Sequence, residues 1–178
     1  MRILIAIFTI IFVLSSCSSI KYSSTYSIKD NSKIEKLTNI LAELGGDRSE
    51  AKELATLAVI HSKKLANDYN LVSPPQYHNF LVNSGQRERG LCFHFVEDLM
   101  KEINSRGFNS FDFKWGRANP DKLDEHNVIV VVKKGSSDFN NGVILDAWRN
   151  SGNLYFIKVK DDPKYRFKEW LEGNKRIK

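Results

Sequence analysis

Cysteine is nearly missing from this chain: there are 2 in 178 residues, Cys17 and Cys92. That excludes a disulfide-stapled scaffold. The 4 histidines, at positions 61, 78, 94 and 126, give no spacing that would build a zinc site with them. No metal or organic cofactor is implied. Proline (4) and glycine (10) are too scarce for a collagenous or low-complexity chain, and no repeat period is visible. The longest apolar run, residues 3–14, covers about a dozen positions, short of the ~20 that span a bilayer. Lys and Arg (27) exceed Asp and Glu (21) for a formal charge of +6. The basic residues are scattered, apart from a tail at Lys175, Arg176 and Lys178, and do not interleave with aromatics, so nucleic acid is not an expected partner. What is present is ordinary: 42% hydrophobic and 27% charged residues, enough for one globular domain and a tail.

The N-terminus has its own logic. Arg2, the apolar run and the small residues from Ser15 onward read as the basic start, core and exit of a secretory signal. Leu14-Ser15-Ser16-Cys17 resembles the lipobox of bacterial lipoproteins. The resemblance implies that residues 1–16 are a signal peptide cut before Cys17. Cys17 would then be acylated on its sulfur and new amino group, palmitate among the chains, and held firmly at a membrane. The implied address is the cell envelope. Ser18, rather than Asp, follows the cysteine, so an outer-membrane position facing the periplasm is expected in a diderm source. A plain signal peptide or signal anchor with an incidental Cys17 is the alternative. Residues 17–32 read as the lipidated cysteine and a Ser-rich flexible tether, and residues 33–178 as the folded domain.

Within that domain, Ser32 and Glu35 fit a capping box. Ile34, Leu37, Ile40, Leu41 and Leu44 form a helical stripe ending at Gly45. A second helix is predicted from Asp47 to about Tyr69, with His61 at its core edge, and Pro74-Pro75 stops it. Residues 76–82 are a short helix or loop in which His78 has no evident partner. After a turn at 104–107 the period moves from 3.6 towards two. Strands are predicted at 111–115, 127–132, 143–148 and 154–160, with turns centred near Ser137 and over residues 150–153, and a terminal helix at 163–171. The fold class is α+β, with the helices packed on an antiparallel sheet.

The chemistry concentrates in residues 86–103. Cys92 opens an amphipathic helix whose buried stripe continues through Val96, Leu99, Met100 and Ile103. The unpaired N–H groups and positive dipole end of a first turn favour the thiolate. A small packed side chain is the plainer alternative. His126 stands just before a strand apolar on both faces, and Asp146 lies inside the next. A hairpin centred near Ser137 pairs His126 with Trp148 and Val128 with Asp146, which puts His126 and Asp146 on one face. A carboxylate in an apolar strand needs a partner, and the histidine supplies one. Nucleophile, base and orienting acid then follow in the order Cys, His, Asp. His94, about 200° round the helix from Cys92, reads as a surface residue.

Gly90-Leu91-Cys92, His126-Asn127-Val128 and Leu145-Asp146-Ala147-Trp148 resemble the core of the transglutaminase-like branch of papain-fold cysteine enzymes, which includes exported bacterial proteinases. The likeness spans residues 86–156. It departs where Phe93 replaces the Trp that often follows the cysteine, and Ala147 the Pro that often follows the aspartate. It implies a papain-like core and a peptidase or amidase acting on protein, peptide or peptidoglycan through a thioester. Cys92, His126 and Asp146 would be its catalytic residues. Oxyanion candidates are the Cys92 N–H, Gln86 at the papain-like spacing of six residues upstream, and the Trp115 indole. Trp148 and Arg149 are the substrate-binding candidates, Trp148 also as a cover over the His-Asp pair. Acyl transfer to an amine is the closest variant. A non-catalytic envelope module binding peptide or wall fragments, and a structural lipoprotein with a chance triad, are the other classes. The lipobox reading is checked by detergent partitioning: wild type should enter the detergent phase, and Cys17→Ser should stay unlipidated or uncleaved. A water-soluble wild type beginning at any other residue overturns it.

Overall fold

The computed structural model describes residues 19–23 and 27–177; the expected signal peptide and Cys17 lie outside them. The first helix, α1 (Ile28–Glu43), begins a turn ahead of the expected cap at Ser32. Ser27 and Asp30 close the capping box instead, Asp30 N–H donating to Ser27 Oγ and Ser27 N–H to Asp30 Oδ2. The end of the expected tether is therefore helical. Residues 19–23 also have partners: Ile20 N–H donates to the Leu71 carbonyl at 2.8 Å and Tyr22 N–H to Asn67 Oδ1 at 2.7 Å. Asp47 caps α2 (Arg48–Asp68) by accepting from the Ser49 and Glu50 N–H groups. A proline at the first position opens α3 (Pro75–Asn83). Next comes α4 (Cys92–Asn104), which buries the predicted stripe and Phe95 with it.

Five antiparallel strands follow in the spatial order β4-β3-β2-β1-β5: β1 (Phe111–Ala118), β2 (His126–Lys133), β3 (Val143–Asp146), β4 (Tyr155–Lys158) and β5 (Lys168–Glu169). The architecture is mixed α+β, as expected. β2 is central, which is why both of its faces are apolar. Ile129 and Val131 face the helices with Trp115 and Leu145, whereas Val128, Val130 and Val132 face a smaller second cluster with Ile144, Tyr165 and Phe167. α4 bridges the layers, because Phe95, Leu99 and Ile103 join the core shared by α1, α2 and the sheet.

The end of the chain differs from expectation. Instead of a helix over 163–171, a 3-10 turn (Val159–Asp161) leads into extended chain, β5 and a short α5 (Leu171–Arg176). Asp162 accepts from the N–H groups of Lys164 and Tyr165, which turns the chain. Tyr165 and Phe167 are then buried with exposed Arg166 between them, a period of two that rules out a helix face. Leu99 is 1% exposed at the seam of α4 and the sheet. Leu99→Ala should cost about 2–5 kcal/mol, read as a lower denaturation midpoint with an unchanged m-value.

Candidate active site

The loop before α4 sets where Cys92 stands. Gly90 has φ +124°, and a Cβ there would overlap the His78 imidazole. His78 is buried and does have partners: Nδ1 accepts from Val72 N–H at 3.2 Å, and Nε2 donates to the Arg89 carbonyl at 2.9 Å. It clamps the chain three residues before the cysteine. His94 is half-buried rather than a plain surface residue. Its Nδ1 accepts from the N–H groups of Gly90 and Leu91 at 3.1 and 3.3 Å, so it supports the helix start. Burial, with Arg89 nearby, holds the His94 ring below the usual imidazole range. Cys92 keeps 8% of its surface exposed. The space between it, Val96, Asn127, Ala147 and Trp148 is too tight for a water molecule.

His126 and Asp146 meet as the strand parity predicts. The register Ile129↔Leu145 and Val131↔Val143 continues to His126 opposite Trp148. His126 Nε2 donates to Asp146 Oδ2 at 2.6 Å. The two residues are each 1% exposed. A carboxylate only accepts, so the Nε2 proton is fixed, and Nδ1 is left buried with no hydrogen bond among the described residues. Burial works against a charged imidazole here. The Asp146 carboxylate outweighs it, the neighbouring Cys92 adds to the effect, and the His126 pKa rises to about 9. Burial alone would raise Asp146; His126 first and Arg149 second hold it below the carboxylate range. Trp148, Tyr165 and Phe167 surround the His126 ring at centroid distances of 5.0, 4.7 and 5.8 Å.

Asn127 is the residue that sequence reasoning missed. It lies on the opposite face of β2 from His126, towards α4, and is 4% exposed. Its Oδ1 accepts the Trp115 indole N–H at 2.6 Å. Indole nitrogen can only donate, so the amide orientation is settled and its NH2 group points the other way. One N–H goes to Glu125 Oε1 at 3.1 Å, and Nδ2 lies 3.6 Å from the Cys92 sulfur. Glu125 is itself bound by Arg117 at 2.6 Å, chiefly for which its carboxyl falls to about 2. The sequence did hold the signal: a polar residue of odd parity at the head of a strand whose odd positions face the cysteine helix.

The other candidates divide. Trp148 covers His126 as expected, its indole donating to Asn79 Oδ1 at 3.0 Å. Trp115 has spent its N–H on Asn127, so it orients a donor and is not one itself. Gln86 is exposed and donates to Ser84 Oγ at 2.9 Å, with no bond to the cysteine. Arg149 turns inward, its side chain 13% exposed. Nε binds Asp146 at 2.8 Å and an Nη binds Asp162 at 2.7 Å, which commits its charge to the fold and away from a substrate. Among the described residues no cluster of His, Cys, Asp and Glu could hold a metal ion.

The His126 shift has a testable sign. Its folded value of about 9 lies above the ~6.5 of an unfolded imidazole. The stability it contributes is therefore complete below about pH 6.5 and is lost as pH rises through about 9. Denaturation midpoints of wild type should fall across that window, and His126→Ala should be weaker at pH 6 with a flatter profile. An unchanged slope in the variant would contradict the pairing. Comparison with protein-family models, curated proteins and solved structures finds no match to this chain.

Proposed function

We propose that the chain is a cysteine hydrolase, a peptidase or amidase with a papain-like/transglutaminase-like core, anchored by lipid in the cell envelope and facing the periplasm. One observation carries the reading: a buried imidazole tied through Nε2 to Asp146, its Nδ1 unpaired, beside the cysteine that opens α4. A merely structural Asp-His pair gains nothing from leaving a buried ring nitrogen without a partner.

In this reading Cys92 Sγ attacks the carbonyl carbon while His126 holds the thiol proton. The oxyanion forms against the Cys92 N–H and the Asn127 amide, whose direction Trp115 and Glu125 fix. Collapse breaks the C–N bond, and His126 gives its proton to the leaving amine. Water, deprotonated by His126, then attacks the thioester; the acid leaves and the thiol regains its proton. Asp146 orients the ring throughout. Acyl transfer is the closest variant: an amine attacks the thioester in place of water, an amide forms instead of the acid, and the thiol again regains its proton.

An active ester tests the nucleophile without knowledge of the natural substrate. Full-length protein in detergent should release about one p-nitrophenol per chain from p-nitrophenyl acetate in a burst. Cys92→Ala should abolish the burst, and His126→Ala should slow it about 10²–10⁴-fold. His94→Ala should retain most of it. Activity should fall on the alkaline side near pH 9, as His126 loses its proton. Absence of a burst in wild type would favour a binding module that takes up peptide or wall fragments.

A further inference from the structure

A second feature lies on the same face of the sheet as Cys92. Asn127, Arg117 and Lys168 are directly opposite one another across β2, β1 and β5, so their side chains share one face. Beyond them, where two-residue β5 runs out, a groove of about 460 Å³ opens between the β1–β2 loop and the chain entering β5. Arg117, Pro120, Lys122, Arg166, Lys168 and Trp170 line it. Its charge is unbalanced. Glu169 is occupied by Lys114 at 3.0 Å and Asn174 at 2.8 Å, Asp121 by Arg117, and Asp124 by Asn119. Lys122, Arg166 and Lys168 are exposed and form no ion pair among the described residues. Arg117 lies over the Trp170 ring at 5.1 Å, and its buried Nε–H has no acceptor among the described residues. The Arg166 Nη1 is held by the Asp162 and Tyr165 carbonyls, but no acid neutralises its guanidinium. Two unpaired lysines and that guanidinium, beside a half-buried indole, suit a carboxylate carried on a chain with some apolar surface.

Building on the hydrolase reading, we propose that this groove is a substrate subsite for an acidic peptide, taking a carboxylate about three residues from the bond that Cys92 cleaves. Lys168 stands two strand spacings from Asn127, roughly 10 Å. An extended peptide covers that in about three residues at ~3.3–3.6 Å each. The concave shape and the shared face with the nucleophile favour a peptide over a flat anionic lipid surface.

Binding to the full-length Cys92→Ala chain in detergent tests this apart from turnover. The probes are acetyl-Ala-Glu-Ala-Ala-Glu-Ala-amide and its Gln and Lys counterparts, titrated by calorimetry at low and high salt. The Glu peptide should bind at least about five-fold tighter than the Gln peptide, the Lys peptide weakest, with the gap narrowing in salt. Combined Lys122→Gln, Arg166→Gln and Lys168→Gln should erase the preference, with an unchanged denaturation midpoint as the control because Arg166 also holds the Asp162 and Tyr165 carbonyls. Lys122→Gln with Lys168→Gln, both at exposed positions the fold tolerates, should already reduce it. No Glu-over-Gln preference, or a preference that survives the triple variant, overturns the proposal. So does a triple variant that loses only binding to phosphatidylglycerol vesicles. An ester burst without charge preference would sink the subsite and leave the hydrolase standing; charge-selective binding without a burst would do the reverse.

Discussion

Two buried acids and two cations alternate through the heart of the second layer: His126, Asp146, Arg149, Asp162. Each bond in that line is 2.6–2.8 Å. Charge in so dry a place is tolerated only when every member is paired, and here the pairing also does the folding. It ties the head of β2 to the end of β3, the turn after β3 to the segment beyond β4, and that segment back over the imidazole through Tyr165 and Phe167. Arg149 also lies over the Tyr155 ring at 4.2 Å, which brings β4 into the same assembly. The C-terminal part of the fold is therefore held twice, by these ion pairs and by Tyr165 and Phe167 packed on the β2 valines. Removing one partner would strand the others, so the proposed catalytic base and the packing of residues 162–167 are one problem.

What could be read in advance was whatever depends on period and parity. The cysteine helix, the central strand and the face shared by His126 and Asp146 all follow from counting residues about a turn at Ser137. What could not be read was the spending of hydrogen bonds between distant positions. Arg149 looks free in sequence because Asp162 lies across a strand and a turn from it. Trp115 looks like an oxyanion donor until Asn127 takes its only proton. His78 looks idle until the loop at Arg89 folds onto it. The missed terminal strand has a different cause: Tyr165 and Phe167 are only two apolar residues, too short a run for alternation to outweigh a helical reading of the residues around them.

The two faces of β2 divide the work. Even positions carry the His-Asp pair and its aromatic surround; odd positions carry Asn127 and, one strand over, Arg117. The proposed nucleophile therefore has the base on one side and a hydrogen-bond donor on the other. Indole, amide, carboxylate and guanidinium run in sequence from β1 through the head of β2, beside the sulfur, and back to β1. Such a line holds the donor rigid at no cost in mobile loops, since every member sits on a strand or at a strand end.

His78 acts as a hinge pin for the loop that carries the nucleophile, and it works only as a neutral ring. Nδ1 must accept from Val72 while Nε2 donates to Arg89; a second proton would set two donors face to face. Burial depresses its pKa below the unfolded imidazole value. The clamp is thus intact above about pH 6.5 and is released as pH falls through the lower folded value. A residue with no part in the proposed chemistry thereby makes the seat of the nucleophile sensitive to acid, on the opposite side of neutrality from the His126–Asp146 pair.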